Sequence, residues 1–552
     1  GRQASERSAR EAAGAQRSSK MGKGKKTTGL GLSATKEGNF AQWYTEVITK
    51  SEMIEYYNVS GCYVLRPQSY RVWEFIQGFF DSEIKKLGVE PCYFPMFVSK
   101  GNLQKEEDHI EDFAPEVAWV TRSGDSELEE PIAIRPTSET IMYPAFSKWI
   151  RSHRDLPLRL NQWTNVVRWE FKNPTPFLRT REFLWQEGHT AFANKEEADK
   201  EVLDILDLYA RIYEELLAVP VIKGRKSAKE KFPGGDFTTT IEAFIPTAGR
   251  AIQAATSHSL GQNFSRMFDI CFTREGATSN DGDAKEFAWQ NSWGCTTRTI
   301  GVMIMVHGDD QGLVMPPRVS PVQVVGITIP MKDDEERARM AEQMAKLIDA
   351  VTELDVRAKF DDRTDKNPGW KFNYWEQRGV PLRVELGPKD LAAGTCVLVR
   401  RDNGEKETVA WADVPKRCAE LMPIIQGEML ERARKVRDSR LSIVFTWDEF
   451  MEALNKGNLV LAPWCNTTES EEWVKDETKR LGEEAAKKAK EAAGGTADGV
   501  EEVNEQGESR SLTGAAKTLC LPFLQPPMPE GTMCFTGNGK PALEWCLWGR
   551  SY

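Results

Sequence analysis

The chain of 552 residues has no run of about eighteen apolar side chains, the length needed to cross a hydrocarbon core. Its first residues lack the apolar segment of a secretory leader, so the sequence carries no direction to secretion. Histidine is scarce, at five residues, which gives weight to any pair that falls on neighbouring strands. The ten cysteines are scattered and sit in apolar runs, as Cys92 does in PCYFPMF and Cys271 in DICF. That pattern suits reduced thiols in the cytosol better than a disulfide framework, so the sequons at Asn263 and Asn466 carry no meaning. An excess of basic charge is also missing, because the formal net charge is −10. A protein dedicated to coating nucleic acid would be basic. RNA remains open as a substrate met by clustered basic residues.

The length suggests roughly three domains. Residues 1–36, rich in Ser, Ala, Gly, Lys and Arg, read as a disordered basic arm. A large globular region follows from 37 to 316, and a Gly/Pro-rich hinge, Gly308 to Pro321, closes it. Alternating strand and helix patterns across 317–440 predict a compact α/β domain with a mixed sheet. The remainder, 441–552, contains an Ala/Lys/Glu-rich stretch and an expected disordered insert near 490–512.

The organising stretch is Asn165 to Phe192, NVVRWEFKNPTPFLRTREFLWQEGHTAF. It reads as two strands joined by a turn that Pro174 and Pro176 punctuate. Strand alternation puts Arg168 and Glu170 on one face of the first arm, and Phe183, Trp185, Glu187 and His189 on one face of the second. Arg168, Arg179 and Arg181 bring three guanidinium groups into this hairpin, a chelator of phosphate or carboxylate. An internal salt-bridge network with Glu170, Glu182 and Glu187 is the alternative reading.

Around it, helical periodicity runs from Ser69 to Leu87, and Gly88 ends it. Pro91 to Val98 reads as a strand that Pro95 confines to an edge or interface. Pro131 to Tyr143 reads as strand, turn and helix start, capped by Thr137 or Ser138, with Glu139 in the first turn and the helix continuing through 145–160. Lys195 to Leu217 is an amphipathic helix. Gly234 and Gly235 feed a strand, Phe237 to Phe244. Ala251 to Thr256 is a strand of small residues with Gln253, Thr256, Ser257 and His258 on its polar edge. Gln290 to His307 runs from strand into apolar helix, with Arg298 at the helix start beside Thr296 and Thr297. A helix N-terminus with an arginine is an anion site, and an arginine capping a nearby carbonyl is the alternative.

These residues together resemble the class II aminoacyl-tRNA synthetases, and within them the prolyl family of eukaryotic and archaeal type. The segments that carry the resemblance are AIRPTSET, the hairpin, GGDFTTTIEAF, QNSWGCTTRTIGVMIMVHGD and the terminal GRSY. The resemblance covers about Phe40 to Tyr552. It implies an α+β fold: an antiparallel catalytic sheet flanked by helices, an α/β anticodon-binding domain and a small α+β C-terminal domain. It implies a cytoplasmic homodimer, joined through the Pro95 region, that takes proline, ATP with Mg2+ and tRNA(Pro). Proline would be activated as its adenylate and passed to the terminal adenosine of the tRNA.

By the same resemblance, Arg168 would bridge the proline carboxylate and the α-phosphate, and Arg179 and Arg298 would hold the outer phosphates. Glu170, Thr180, Gln253, Thr256 and Thr297 would frame ATP, with Gln253 near magnesium. Thr137 and Glu139 would accept from the proline ammonium. Phe183, Trp185, Glu187, His189, His258 and Ser292 would shape the ring pocket. Arg363, Lys371, Glu376 and Arg383 are candidates for anticodon contact. The carboxylate of Tyr552 would point toward the active site.

The family's C-terminal domain often holds zinc on paired cysteines. Here Cys465 lacks a second cysteine nearby, and Cys534 is followed by FTG where C-x-C is expected. Cys520 and Cys546 have the wrong spacing, so zinc is not expected. Three other functions stay open on sequence. One is an inactive synthetase-like RNA-binding regulator, which the presence of Arg168, Arg179 and Arg298 disfavours. Another is a class II enzyme for another small amino acid. The third is a non-synthetase ATP ligase on the same fold, which the α/β domain with its basic loops disfavours.

Overall fold

A computed structural model describes residues 31–107, 116–171, 173–276, 285–329, 333–492 and 514–552. The expected disordered arm, through residue 30, and the insert from 493 to 512 lie outside the described residues. Residues 31–36 depart from the arm assigned to them, because they dock on the globular region. Leu32 and Ala34 join the core, and Lys36 Nζ donates to the carbonyls of Val306 (3.2 Å) and Gly308 (2.7 Å). The last helix of the Ala/Lys/Glu-rich stretch runs to Ala492, slightly past the predicted break at 490.

The elements that build the central region are α1 (Pro67–Lys86), α2 (Glu139–Trp149), β1 (Leu158–Val167), β2 (Glu182–Phe192) and α3 (Lys195–Arg211). They continue with β3 (Ile222–Arg225), β4 (Phe237–Ile245), β5 (Arg250–Gly261), β6 (Trp289–Thr296) and α4 (Arg298–His307). The antiparallel run β1–β2–β6–β5–β4–β3 is the middle of an eleven-stranded sheet. Two strands of the C-terminal region, β7 (Lys517–Pro522) and β8 (Glu544–Ser551), extend the sheet past β3. The end of β8 also returns beside the start of β5, pairing Arg250 with Arg550 and Ala251 with Ser551 in parallel. Gly224 on β3 is required there, since a Cβ would lie 2.6 Å from the Leu521 carbonyl oxygen of β7.

One face of the sheet is covered by α1, α3 and α4. Phe80 of α1 stacks on Tyr209 of α3 and meets Trp293 of β6 edge-on. Burying such rings supplies most of the drive for this packing. The other face is left for the polar and charged side chains of the alternating positions.

Several local expectations change in the structure. The helix predicted through 145–160 stops at Trp149, and β1 begins at Leu158, because a three-residue turn capped by Ser152 and the following Leu156–Pro157 segment break it. The strand predicted over Pro91 to Val98 is two short pieces, Glu90–Pro91 and Phe97–Ser99, on either side of Pro95, which cannot donate to a ladder. The first arm of the hairpin ends at Val167. Arg168 and Glu170 therefore lie in the connection, where strand alternation does not apply.

The 317–440 region contains a five-stranded sheet ordered Ala358–Phe360, Val324–Thr328, Leu382–Leu386, Thr395–Arg400, Lys406–Ala410. The first three strands are parallel and the last two antiparallel, which is the mixed sheet the pattern predicts. The final strand escapes the sequence pattern, because KETVA has a single buried side chain, Val409.

Candidate active site

The polar face of β2, β6, β5 and β4 floors a cavity of about 340 Å³. Register explains the convergence. Directly opposed residues run His189 to Ser292, Ser292 to His258 and His258 to Thr238 across the four strands. One row along, Glu187 opposes Gly294 and Gly294 opposes Thr256. The alternation read for Phe183, Trp185, Glu187 and His189 holds, and all four line the cavity. Thr137, Glu139, Arg168, Thr180, Gln253, Thr256, His258, Ser292 and Arg298 line it as well.

The Arg168 guanidinium is fixed from two sides. Its Nε donates to the Pro136 carbonyl at 3.1 Å, and its Cζ lies 5.4 Å from the Phe183 ring and 5.6 Å from the Trp185 ring. Burial lowers its pKa, while Glu170, Glu139 and Glu187 act against that. Arg298 donates from Nε and Nη2 to the Leu178 carbonyl and from Nη1 to the Gln253 carbonyl at 2.9 Å. It caps carbonyls, the alternative reading, while also lining the cavity. Its pKa is lowered by burial, and the nearby charges of Arg179 and Arg168 lower it further. Arg298 thus stands between the other two, lining one cavity with Arg168 and the adjoining one with Arg179.

Arg179 is exposed and lines an adjoining cavity of about 170 Å³ together with Gln253, Arg298, Glu242, Lys226 and Tyr552. Arg181, the third guanidinium of the hairpin, turns away to the Ser60 and Phe171 carbonyls and covers Trp169, so it serves the fold. Glu170 is exposed and lines neither cavity. Thr297 is buried with its amide on the Leu184 carbonyl, and Thr296 takes the place in the lining that the sequence assigned to Thr297. The strand runs through Thr296, so alternation gives that residue the open face.

The ring-pocket side carries a buried network. Glu187 accepts from Ser138 Oγ (2.5 Å) and Gln162 Nε2 (2.7 Å), and its other oxygen meets His189 Nε2 at 3.0 Å. His189 Nδ1 pairs with Tyr143 Oη at 3.0 Å. Burial opposes charging His189, but the Glu187 carboxylate outweighs it and raises the imidazole above its ordinary pKa. His258 goes the other way, lowered to about 3 by burial and by neighbouring His189, so it stays neutral. Its Nδ1 meets Thr238 Oγ1 at 2.9 Å, and that oxygen also accepts from the Phe232 amide. Thr137 donates its hydroxyl to Glu139, so both residues present acceptor oxygens.

Residues that sequence reasoning did not assign to the site include Phe171, Phe177, Glu230, Lys231, Phe232 and Thr238. All but Thr238 come from connections, where periodicity carries no information. Thr238 was within reach, since it stands just past the Gly234–Gly235 loop on a predicted strand.

The four anticodon candidates cluster on and around the helix Pro368–Gln377, where each is engaged by a neighbouring charged residue of the same domain. Lys371 is buried, with Nζ on the Asp361 carbonyl at 2.7 Å, and Arg363 chelates the Asp361 carboxylate. Arg383 bridges Glu376 at 2.9 Å and Glu385 at 2.8 Å. Lys371 is therefore corrected from a contact residue to an internal one, because burial removes it from any docking surface.

Among the described residues, no group of three or more His, Cys, Asp or Glu side chains is arranged to hold a metal. No described helix is long and apolar enough to cross a membrane.

Three family models match this arrangement: the tRNA synthetase class II core domain (G, H, P, S and T) over 119–307, the anticodon-binding domain over 323–421, and the prolyl-tRNA synthetase C-terminal domain over 447–552. The cytoplasmic proline--tRNA ligase of Arabidopsis thaliana is 57% identical over 528 residues, covering 96% of this chain and 92% of that protein. The proline--tRNA ligase of Encephalitozoon cuniculi is 50% identical, covering 95% of this chain and 99% of its own. The bifunctional glutamate/proline--tRNA ligase of Cricetulus griseus is 54% identical, and this chain spans 33% of that longer protein. A cavity with converging arginines, an antiparallel sheet and near full-length similarity thus agree, and the chain belongs to the proline--tRNA ligases of the class II aminoacyl-tRNA synthetases.

Proposed function

We propose that the two adjoining cavities carry out both steps of proline--tRNA ligation by positioning and charge stabilisation, with no nucleophile from the protein. The proline carboxylate oxygen attacks the α-phosphorus of ATP, forming the acyl–phosphate bond as the bond to pyrophosphate breaks. The terminal ribose hydroxyl of tRNA(Pro) then attacks the acyl carbon and AMP leaves. The observation that carries this reading is Arg298 lining both cavities, with Arg168 beside it in one and Arg179 in the other. Preorganised cations lower the cost of the charge that develops.

In this reading Arg168 bridges carboxylate and α-phosphate, and Arg179 and Arg298 take the outer phosphates. Thr180, Gln253 and Thr256, with Thr296 in place of Thr297, frame the nucleotide, and Glu170 would reach it from the exposed connection. Thr137 and Glu139 accept from the secondary ammonium. Phe183, Trp185, His189, His258 and Ser292 enclose the ring, and Glu187 holds His189. The Gln253 amide oxygen is a donor suited to a hard cation and would hold Mg2+ together with the phosphate oxygens of ATP. When bound with ATP, the ion neutralises phosphate charge.

The domain boundaries near 316 and 440, a homodimer through the exposed stretch around Tyr93, Pro95 and Phe97, and a cytoplasmic site of action belong to the same reading. Tyr93 is 74% and Phe97 47% exposed, more apolar surface than a monomer needs there. The deciding experiment is ATP–pyrophosphate exchange with a panel of amino acids. Exchange with proline alone is expected. Exchange with another small amino acid and none with proline would overturn the proposal.

A further inference from the structure

The C-terminal region contains a four-side-chain cluster outside the active site. Cys465 and Ser470, on one side of 493–513, meet Cys534 and Thr536 from the other. The pairs have the spacing Cys-x4-Ser and Cys-x-Thr. Cys465 Sγ lies 3.4 Å from Ser470 Oγ and accepts from Asn538 Nδ2 at 3.4 Å. Cys534 Sγ lies 3.2 Å from Thr536 Oγ1, and the Cys465 and Cys534 thiols are themselves within hydrogen-bonding reach. The Phe535 amide on the Pro463 carbonyl (3.0 Å) ties the two segments together.

Ser470 is 5% exposed and fully engaged. Its Oγ accepts from Trp464 Nε1 (2.7 Å) and Thr467 Oγ1 (3.0 Å) and donates to the Thr467 carbonyl (2.8 Å). Both thiols are buried, and Cys534 leads into Phe535, which packs on Phe450 and Trp548. The four side chains are linked in series, Ser470 to Cys465 to Cys534 to Thr536, from the start of the helix Thr468–Ala492 and from the turn after Cys534, a placement that resembles a structural zinc centre. The chemistry does not match it. Zinc takes thiolate, imidazole or carboxylate, and two of these four donors are neutral hydroxyls already spent on other bonds.

We infer that this cluster closes the C-terminal region as a metal-free hydrogen-bonded knot, and that Ser470 and Thr536 are the two positions at which hydroxyl has replaced a metal ligand. The hydroxyls satisfy the buried thiols and the Trp464 indole, so the region folds without the ion. The replacement is local, because a thiol at 470 and at 536 would complete a set of four thiolate ligands.

The test compares the full-length native chain with S470C/T536C, using zinc content by mass spectrometry and Tm with and without a chelator. The native chain is expected to carry about 0 zinc per chain with a chelator-insensitive Tm, and the double variant about 1 with a Tm that falls on chelation. A native chain that retains one tightly bound zinc overturns the inference. So does a folded double variant that takes up neither zinc nor cobalt with the absorption of tetrahedral thiolate coordination. Ser470→Ala is the second variant, in case the double variant does not fold. Its Tm is expected to fall while its zinc content stays at the native level. An unchanged Tm would show that the knot does not hold the region.

Discussion

Arg168 sits where strand geometry has just ended, yet its guanidinium is held in place. One carbonyl and two aromatic rings hold it, so it reaches a bound ligand with little loss of conformational freedom. Arg168→Ala is expected to lower proline-dependent pyrophosphate exchange by roughly 10²–10³-fold, the scale of losing one preorganised charge stabiliser. An exchange rate within a few-fold of wild type would remove its bridging role. The two site histidines respond to pH in opposite directions. His258 is held at about 3 while the unfolded chain titrates near 6.5, so it costs stability as pH falls below 6.5. His307, lowered to about 4 by burial, adds to the same loss. The raised His189 contributes stability in full below 6.5 and loses it as pH climbs through its folded value. His258→Gln should therefore flatten the fall of Tm on acidification from neutral pH without abolishing it. An acid-side Tm curve that is unchanged would contradict the assignment.

The strands place their functional residues through register, and a glycine lets two of them meet. Gly188 lies opposite Trp293, whose ring atoms would lie 2.2 Å from a Cβ at position 188. Backbone and indole must both move to admit a methyl group there. Gly188→Ala is expected to cost about 1–3 kcal/mol, measured by denaturant unfolding. It should also reduce activity, because Glu187 and His189 flank the glycine on the same strand. The helix α2 supplies the opposite wall. Ser138 precedes it, and its hydroxyl is spent on Glu187 rather than on capping the helix. A residue expected to cap thus serves the site network.

At the scale of the molecule, the C-terminal region is joined to the catalytic sheet rather than appended to it. Lys226 of the central region bonds Glu242 Oε1 at 2.9 Å and the Leu519 carbonyl of β7 at 2.7 Å, in the wall of the cavity that Arg179 and Arg298 share. Both partners are nearly inaccessible, with side-chain exposures of 7% and 2%. Lys226→Met would leave a buried, uncompensated carboxylate and is expected to cost about 3–5 kcal/mol of stability. Lys226→Met combined with Glu242→Gln should recover most of it. Equal losses in the single and double variants would show that the ion pair is not what joins the regions. By itself, the sequence determined the local patterns: the Phe183–His189 face, the strand–helix junction at Arg298, the mixed α/β sheet of 317–440, and the family. These are fixed by periodicity and short-range chemistry. Only the tertiary structure decided which charges face an open cavity and which face each other. Arg181 and Lys371 look like ligand contacts in the chain and are internal, while Thr296, Thr238 and Lys226 gain their places from strand pairings between residues far apart in the chain. Pairing register and burial are properties of the folded whole, and no window of neighbouring residues contains them.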